Sequence, residues 1–345
     1  MWTYLFLGPL VTAGSPSPDP SCPITVRSSS GYPLCECHTV CPEDEWFFPG
    51  VSSAPCLDKK VKILNDVEGF PKRVERKLQQ YAGESAVFHD DILFSPRASA
   101  VLFLLGHRRP RGYGDETGPF LLLNKRSARV KQPGDLCCPG GSIVPRLDVT
   151  LARLLRLRGS PLVRWTGWSE WRERPEQEAF SLSLLLATGL RESFEEMRLN
   201  PFGIRFLGFL PPARLVMFRR VIYPMVCWIS GQVRFFPNWE VEKVVAVPLS
   251  RLLEATNYAR CVMTIAVSND SRHAHDIKEF PCFLHHFDGQ TERLWGATFR
   301  ITMSFLDLVF GFTPPAVESL QAVKGTLGRH YLTGRPAARI NGDPS

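Results

Sequence analysis

Three glutamates within six residues of the chain stand at the spacing of one helix face. Glu192, Glu195 and Glu196 lie at i, i+3 and i+4 in the segment Arg-Glu-Ser-Phe-Glu-Glu, so a helix directs their side chains the same way. Like charges at this spacing repel by roughly a few tenths of a kcal/mol per pair unless a cation neutralises them. Mg²⁺ fits because it binds one or two carboxylates together with substrate phosphates and water. The pattern predicts a metal and phosphate site; its alternative is a solvated acidic helix face.

A pair of glycines upstream supplies a second element for such a site. Gly140 and Gly141 follow Pro139 at the end of a short predicted strand. Having no side chains, they let the backbone approach a phosphate or a metal ion closely, and a backbone carbonyl there can act as a ligand. The alternative for this pair is an ordinary tight turn.

The elements that must position these residues follow from apolar runs and their period. Strands are predicted at Ala98–Gly106, Phe120–Asn124, Leu136–Pro139, Ile204–Leu210, Val221–Ser230 and Lys243–Val247. Helices are predicted at Pro71–Ala82, along the apolar run that leads into the glutamates, at Leu249–Thr256 and at Ala297–Phe312. Strands on both sides of a central helix, with a second helix later, indicate an α/β/α sandwich.

The order of these motifs resembles that of the Nudix hydrolases, whose helix carries Arg-Glu-x-x-Glu-Glu after a Gly-Gly loop. The matching segments are Arg126-Ser127, Pro139-Gly140-Gly141 and Arg191–Glu196, and the resemblance extends over about residues 61–334. The Arg-Ser pair ahead of Pro-Gly-Gly is similar to the coenzyme A pyrophosphatase branch. The resemblance implies a Nudix-type α/β/α sandwich with a mixed sheet.

The resemblance also implies roles for individual carboxylates. Glu195 and Glu196 are expected to be metal ligands, and Glu192 is either a third ligand or the general base. Arg191 is expected to pin Glu195 or an upstream carboxylate through a bidentate pair. Glu240, in a segment similar to the one that precedes the last core strands of the family, is a further candidate for a fourth carboxylate or the base.

Substrate-binding residues are expected around the two upstream motifs. Gly140 and Gly141 would approach the diphosphate, and Arg126 and Ser127 stand where the coenzyme A branch carries its own Arg-Ser. Arg126 is a candidate for binding the 3′-phosphate or the diphosphate. Its alternative role is a salt bridge that holds the loop.

The chain departs from the family pattern at the first carboxylate of the motif. Ser183 stands eight positions before Arg191, where the family carries a glutamate. Three residues are candidates to replace it: Asp148, Glu176 and Glu178. Arg198 also replaces the glycine that follows Glu-Glu in the family, which places the geometry of that turn in question.

A long insert separates the two halves of the motif. Gly141 and Arg191 are 50 positions apart, and the extra residues, about 150–180, include Trp165, Trp168 and Trp171. The favoured interpretation is a surface lid or a dimer contact, because tryptophans are common at subunit interfaces. The alternatives are direct phosphate binding by the arginines of the insert, and packing of the tryptophans against their own domain.

Composition restricts the class of protein. The chain has 345 residues with 44% hydrophobic and 22% charged side chains, as in ordinary soluble proteins. A net charge of +7 suits an anionic small-molecule ligand but is too mild and dispersed to indicate nucleic acid. No apolar run reaches the length of a membrane span. The spacing of the ten cysteines is not that of a disulfide framework, which indicates a reducing, cytoplasmic setting. The cysteines and histidine of Cys35–Cys41 match no standard spacing of zinc ligands.

The expected organisation is a loosely attached or disordered segment at 1–58, a Nudix hydrolase domain at 59–334 and a loose tail at 335–345. The resemblance implies Mg²⁺- or Mn²⁺-dependent hydrolysis of coenzyme A or acyl-coenzyme A to 3′,5′-ADP and a 4′-phosphopantetheine species. The alternatives are another nucleoside diphosphate derivative such as ADP-ribose or a dinucleoside polyphosphate, and a domain that binds nucleotides without cleaving them. A homodimer is left open.

Overall fold

The computed structural model describes residues 62–84, 98–108, 110, 118–215, 220–265, 276–327 and 331. All of them belong to one compact unit. The expectations for residues 1–58, for Cys35–Cys41 and for the tail at 335–345 lie outside the described residues.

The secondary structure begins with helix α1, Phe70–Glu84. Strands β1 to β4 follow at Ala98–Gly106, Phe120–Arg126, Leu136–Cys137 and Gly140–Ser142, and then helices α2, α3 and α4 at Pro145–Leu155, Trp168–Glu173 and Glu176–Met197. Strands β5 to β8 are Ile204–Phe209, Ala213–Leu215, Arg220–Ile229 and Val241–Pro248, followed by the short helix α5, Leu249–Leu252. The last elements are β9 to β11 at Tyr258–Ile265, Asp276–Phe287 and Gln290–Leu294, helix α6 at Gly296–Phe310 and β12 at Ala322–Leu327.

The larger sheet is mixed. Its path runs β3-β2-β1-β7-β5, with β4 paired to β1, β6 to β7 and β8 to β2. β1 and β7 are parallel, whereas β1 pairs with β2 and with β4 in the antiparallel sense. The smaller sheet has the order β11-β10-β9-β12.

Both faces of the larger sheet are covered by helices. Along β1, Leu102 and Leu104 belong to the core on the side of α4, whereas Phe103 and Leu105 belong to the core on the side of α1 and α6. A strand whose two faces are both buried reads as a continuous apolar run, which is how the sequence presents β1. The predicted α/β/α arrangement with a mixed sheet is confirmed.

Several elements differ from their predicted bounds. The strand predicted at Leu136–Pro139 ends at Cys137 as β3, and a separate short strand, β4, begins at Gly140 and pairs with a different partner. The helix predicted at Leu249–Thr256 ends at Leu252 and continues as a separate 3-10 turn at Ala255–Asn257. The smaller sheet was not predicted, because its strands mix charged and histidine residues with apolar ones and give no clear period of two. None of the helices in the described part of the chain is long and apolar enough to cross a membrane.

The segment at 150–180, expected as an insert, packs against its own domain. Trp165, Trp168 and Trp171 are 3%, 6% and 2% exposed. Trp165 contacts Phe206 edge to face with ring centroids 5.0 Å apart, and Trp171 contacts Phe209 in the same way at 5.3 Å. Of the interpretations given for these tryptophans, the structure shows packing against their own domain and not a lid or dimer contact, since they form part of the core beneath β5.

Candidate functional site

Helix α4 positions the carboxylates because its middle turns are buried all round. Every residue from Ser181 to Leu190 is buried, and Gly189 lies against β1, where an added Cβ would meet Leu102 Cδ2 at 2.6 Å. The charged part of the helix begins at Arg191 and is only partly exposed, with Phe194 and Glu195 as its exposed residues. The apolar turns therefore fix the helix on the sheet, and the charged turns extend from a rigid support.

Arg191 pairs with Asp148 across two helices. Its Nε donates to Oδ1 of Asp148 at 2.7 Å and its Nη2 to Oδ2 at 3.2 Å. Asp148 lies in the first turn of α2, is fully buried, and also accepts from the Thr188 hydroxyl at 2.9 Å and from the Val144 amide at 2.7 Å. Of the three candidates for the missing first carboxylate, Asp148 is the one that the structure places against Arg191.

The other two candidates are engaged elsewhere. Glu176 pairs with Arg156, whose Nη1 lies 2.5 Å from Glu176 Oε1, and Glu178 pairs with Arg174 at 3.5 Å. Ser183, which stands at the family's position in the sequence, donates its hydroxyl to the Ala179 carbonyl inside the helix. The buried carboxylate that pairs with Arg191 therefore comes from a neighbouring helix, α2, instead of from α4 itself.

Arg191 also links the helix to the glycine segment. Its Nη2 donates to the Ser142 carbonyl at 3.1 Å and lies 3.1 Å from Glu192 Oε1, while Nη1 lies 3.4 Å from Glu195 Oε2. Burial works against the charge of Arg191, but the hydrogen bonds to Asp148 and the nearby glutamates raise its pKa overall. Arg191 thus orders the carboxylates around it, as a bidentate arginine does.

Gly141 makes room for Glu192. A Cβ added to Gly141 would meet Oε1 of Glu192 at 2.3 Å, so the carboxylate lies directly on the glycine. Burial is the main cause that raises the pKa of Glu192, and Arg191 opposes that rise. Gly140 has φ 149°, and a Cβ there would meet the Ala100 carbonyl at 2.3 Å. Both positions therefore require glycine, because a side chain at either one would collide with neighbouring atoms. This excludes an ordinary turn that faces solvent.

Glu196 is the most enclosed of the three helix glutamates. Its Oε2 accepts from Asn124 Nδ2 at 2.9 Å and from the Gly140 amide at 3.3 Å. Burial, followed by the charge of Glu192, raises the pKa of Glu196 to about 8, and the charge of Glu240 adds to this rise. Asn124 is 1% exposed, and its Oδ1 has no hydrogen-bond partner among the described residues.

The segment that carries Glu240 is hydrogen-bonded to the C-terminal end of α4. The Asn238 amide donates to the Glu196 carbonyl at 2.8 Å, and the Glu240 amide donates to Asn238 Oδ1 at 2.8 Å. The Phe236 amide donates to the Met197 carbonyl at 3.0 Å. This segment therefore satisfies the last carbonyls of the helix and, in doing so, brings Glu240 close enough to influence Glu196.

The turn after the glutamates keeps a left-handed conformation without a glycine. Arg198 has φ 58° and ψ 41°, and its amide donates to the Phe194 carbonyl. Its guanidinium lies 4.9 Å from the centre of the Phe194 ring. Since a left-handed residue at this position normally is glycine, Arg198 forms the expected turn at a conformational cost.

Arg126 and Ser127 hold the loop that faces Glu240. The Ser127 hydroxyl donates to the Trp239 carbonyl and the Ser127 amide to the Glu240 carbonyl, each at 2.8 Å. Arg126 Nε donates to the Lys131 carbonyl at 2.7 Å. Both predicted substrate residues thus make structural hydrogen bonds, and for Arg126 the acceptor is a backbone carbonyl instead of a carboxylate.

Two residues of this region were missed by sequence analysis. Asn124 ends an apolar strand with a polar side chain, which is a signal that could have been used. Asp135 accepts from Trp295 Nε1 at 2.9 Å and from the Tyr331 hydroxyl at 2.5 Å, and it anchors the loop that begins at Arg126. Because Tyr331 is 196 positions from Asp135, no local signal indicates this contact.

The structure places Glu192 on Gly141 and Glu196 at the Gly140 amide, whereas Glu195 lies at the edge with 51% of its side chain exposed. Glu240 acts on Glu196 through its charge. In the part of the chain that the structure describes, no three His, Cys, Asp or Glu side chains converge on one point as they stand. The donors are all hard carboxylate oxygens, which are the ligands that Mg²⁺ and Mn²⁺ prefer. The chemistry of these donors therefore fits such an ion.

A comparison with curated proteins found one similar sequence. A curated Nudix hydrolase from Pectobacterium atrosepticum, NudL, is 37% identical over 75 residues, which cover 21% of this chain and 38% of that protein. This chain therefore matches well under half the length of that relative. No family model matches the chain.

Solved structures with similarity to this chain include a Nudix hydrolase from M. smegmatis (14% identity, 46% of this chain and 73% of that chain, TM-score 0.27). An Ap4A hydrolase from C. elegans has 12% identity over 44% of this chain and 80% of that chain, with a TM-score of 0.27. A Nudix hydrolase from Alicyclobacillus acidocaldarius has 15% identity over 46% of this chain and 82% of that chain, with a TM-score of 0.30. TM-scores of this size do not support a structural assignment, so the sequence match is the more informative comparison.

Proposed function

We propose that this chain is a Nudix hydrolase that cleaves the diphosphate bond of coenzyme A or an acyl-coenzyme A. The products are 3′,5′-ADP and a 4′-phosphopantetheine species. One observation carries the proposal: a helix held rigidly on the sheet presents Glu192 and Glu196 against a glycine pair, with Arg191 fixed by a buried carboxylate. The segment of sequence similarity to a Nudix hydrolase supports the same class of reaction.

Glu192, Glu195 and Glu196 are the residues that would hold a divalent cation, Mg²⁺ or Mn²⁺. When bound, such an ion neutralises the charge of the diphosphate and of the leaving phosphate. The burial of Glu196 and its repulsion by Glu192 and Glu240 support this assignment, because a cation relieves both costs. The amide of Gly140, which donates to Glu196, and Asn124 hold that carboxylate in place.

A general base must take a proton from the attacking water. Glu240 fits this role because it lies on a separate segment, close to Glu196 but outside the helix that carries the proposed ligands. Glu192 is the alternative base, since it lies on Gly141 at the centre of the site. Arg191 serves neither role directly: it orients Glu192 and Glu195 through the pair with Asp148.

The loop at 126–135 supports an anionic, phosphate-bearing substrate. Arg126 is held by its own loop, but Arg129 and Lys131 are exposed on it beside the segment that carries Glu240. Their cations would bind the 3′-phosphate of coenzyme A, while Gly140 and Gly141 approach the diphosphate. Ser127 contributes by fixing the loop to Trp239.

Helix α2 supports an acylated substrate. It begins three residues after Ser142, whose carbonyl accepts from Arg191. Exposed apolar side chains lie on the helix and just outside it: Leu147 and Leu154 on the helix are 47% and 53% exposed, Val144 before it 44% and Leu157 after it 60%. An acyl chain laid along these side chains would cover them.

The experiment that tests the function is product analysis by chromatography. Purified protein with Mg²⁺ or Mn²⁺ is incubated with coenzyme A, acetyl-coenzyme A, a long-chain acyl-coenzyme A, ADP-ribose and diadenosine polyphosphates. The control is the double variant Glu195→Gln/Glu196→Gln. Release of 3′,5′-ADP by the wild type alone is the expected result. Turnover of ADP-ribose or a dinucleoside polyphosphate instead would overturn the substrate, and folded protein inactive on the whole panel would overturn the hydrolase assignment.

A further inference from the structure

Two cysteines of the smaller sheet lie side by side. Cys261 is on β9 and Cys282 on β10, and their sulfur atoms are 3.1 Å apart. Both side chains are fully buried, next to Met263 and Ala259. Neither the carboxylate site nor the loop at 126–135 uses these thiols.

The strand register places the two thiols on the same face of the sheet. Cys261 is opposite Phe280 and Cys282 is opposite Ala259, so the two cysteines are diagonal neighbours across one antiparallel pair. A disulfide has a sulfur–sulfur distance of about 2.05 Å, so the sulfurs need to approach by only about 1 Å to form a bond.

The charge around the pair favours a reactive thiolate at Cys261. A proton shared with Cys282 lowers the pKa of Cys261 to about 7, against burial, and the Arg293 guanidinium contributes in the same direction. Arg293 Nη1 lies 3.6 Å from Cys261 Sγ. The shared proton raises the pKa of Cys282, which therefore keeps its proton. This is the arrangement of an attacking thiol and a resolving thiol.

The other described cysteines lack these features. Cys227 is buried in the larger sheet, and burial alone raises the pKa of its thiol. Cys137 and Cys138 are adjacent in sequence, and burial raises the pKa of both, to about 12 for Cys137. A low thiolate fraction makes them poor nucleophiles.

We propose that Cys261 and Cys282 form a reversible disulfide when a hydroperoxide oxidises the folded chain. The Cys261 thiolate attacks one oxygen of hydrogen peroxide, forming a sulfenic acid and releasing hydroxide, which takes a proton to become water. The Cys282 thiol then attacks the sulfenic sulfur, the S–O bond breaks and a second water leaves. Two thiols and one peroxide thus give one disulfide and two waters, and a dithiol reverses the reaction.

The sequence allows a direct test by mass spectrometry on the full chain. Trypsin releases Cys261 in the peptide 261–272 and Cys282 in the peptide 279–293, and each peptide contains one cysteine. Reduced protein is treated with increasing hydrogen peroxide, free thiols are alkylated, and the digest is compared with and without dithiothreitol. The expected result is a linked pair of these peptides, two hydrogens lighter than their sum, that separates on reduction.

Three variants complete the test. Cys282→Ser is expected to lose the linked pair and to leave a Cys261 sulfenic acid that a dimedone probe captures, and Arg293→Met is expected to slow the reaction. Cys227→Ser, which removes an isolated buried thiol, is expected to leave the cross-link unchanged. Peptides 261–272 and 279–293 that remain unlinked, or that link to another cysteine in preference to each other, would overturn the proposal. Oxidation of Cys261 only to the sulfinic acid would do the same.

Discussion

Arg191 and Asp148, 43 positions apart, form a two-point ion pair that joins helices α4 and α2 at the candidate site. Asp148 is fully buried, and its two oxygens accept four hydrogen bonds from Arg191, Thr188 and the Val144 amide. The pair therefore ties the glycine segment and the start of α2 to the helix that carries the glutamates.

Removing the carboxylate from this pair is expected to be costly. In Asp148→Ala the Arg191 guanidinium loses its buried partner, and breaking a buried ion pair costs about 3–5 kcal/mol of the free energy of unfolding. Urea unfolding followed by circular dichroism measures the loss. The matched control is Glu176→Ala, which removes an exposed partner of Arg156 and is expected to change stability little. Equal effects of the two substitutions would contradict the role given to Asp148.

Gly141 is expected to be essential for the position of Glu192. In Gly141→Ala the new methyl group meets the Glu192 carboxylate at 2.3 Å and displaces it, whereas the backbone of Gly141 has no positive φ that would be strained. We expect a loss of Mg²⁺ affinity and of turnover while the circular dichroism spectrum stays unchanged. Gly231→Ala is the control, because nothing lies within 4 Å of a Cβ at that position. Unchanged metal affinity in Gly141→Ala would show that Glu192 does not need this contact.

The raised pKa of Glu196 gives the metal-free protein a defined dependence on pH. Because its pKa rises from 4.5 to about 8 on folding, the folded state binds the proton more tightly than the unfolded state. The free energy of unfolding is therefore expected to fall as pH rises from about 4.5 to about 8 and to level off above. Thermal unfolding in a chelator at several pH values measures this slope.

Glu196→Gln is expected to flatten that slope in part, since the pKa of Glu192 is also raised and contributes in the same direction. Mg²⁺ competes with the proton on Glu196, so its affinity is expected to increase as pH rises towards about 8. Calorimetric titration in buffers of different ionisation enthalpy should record proton release in the wild type. Stability that rises with pH over this range would refute the environment described for Glu196.

Arg198 is expected to be a site where glycine stabilises the protein. Its φ of 58° is left-handed, a conformation that costs a non-glycine residue about 1 kcal/mol. Arg198→Gly is expected to increase the free energy of unfolding by roughly 0.5–1 kcal/mol, reduced by the loss of its contact with the Phe194 ring. Arg198→Ala, which loses the same contact but keeps the strain, is the control and is expected to be less stable than Arg198→Gly.

The sequence predicts that Glu192, Glu195 and Glu196 share one helix because a helix has a fixed period, but spacing alone does not show that Glu195 lies at the exposed edge of the site. It also predicts the buried strands β1 and β2, whose apolar runs are continuous. In the sequence, Asp148 is one of three candidates for the missing first carboxylate. Its pairing with Arg191 depends on how α2 packs against α4, which local spacing does not show. The position of Glu240 depends on hydrogen bonds between its segment and the end of α4, which leave no periodic signal.

The exposed apolar face of α2 leads to a prediction about substrate preference. If an acyl chain lies on this face, the double variant Leu147→Ser/Leu154→Ser is expected to raise KM for a long-chain acyl-coenzyme A while leaving KM for free coenzyme A unchanged. Each leucine is about half exposed, so contact with a chain would remove the remaining apolar area from water, worth roughly 1 kcal/mol per side chain. Steady-state kinetics on both substrates measure the difference. Phe202→Ser, which removes a 75% exposed side chain outside α2, is the control. Equal changes in KM for both substrates would assign these leucines to the fold and not to the acyl chain.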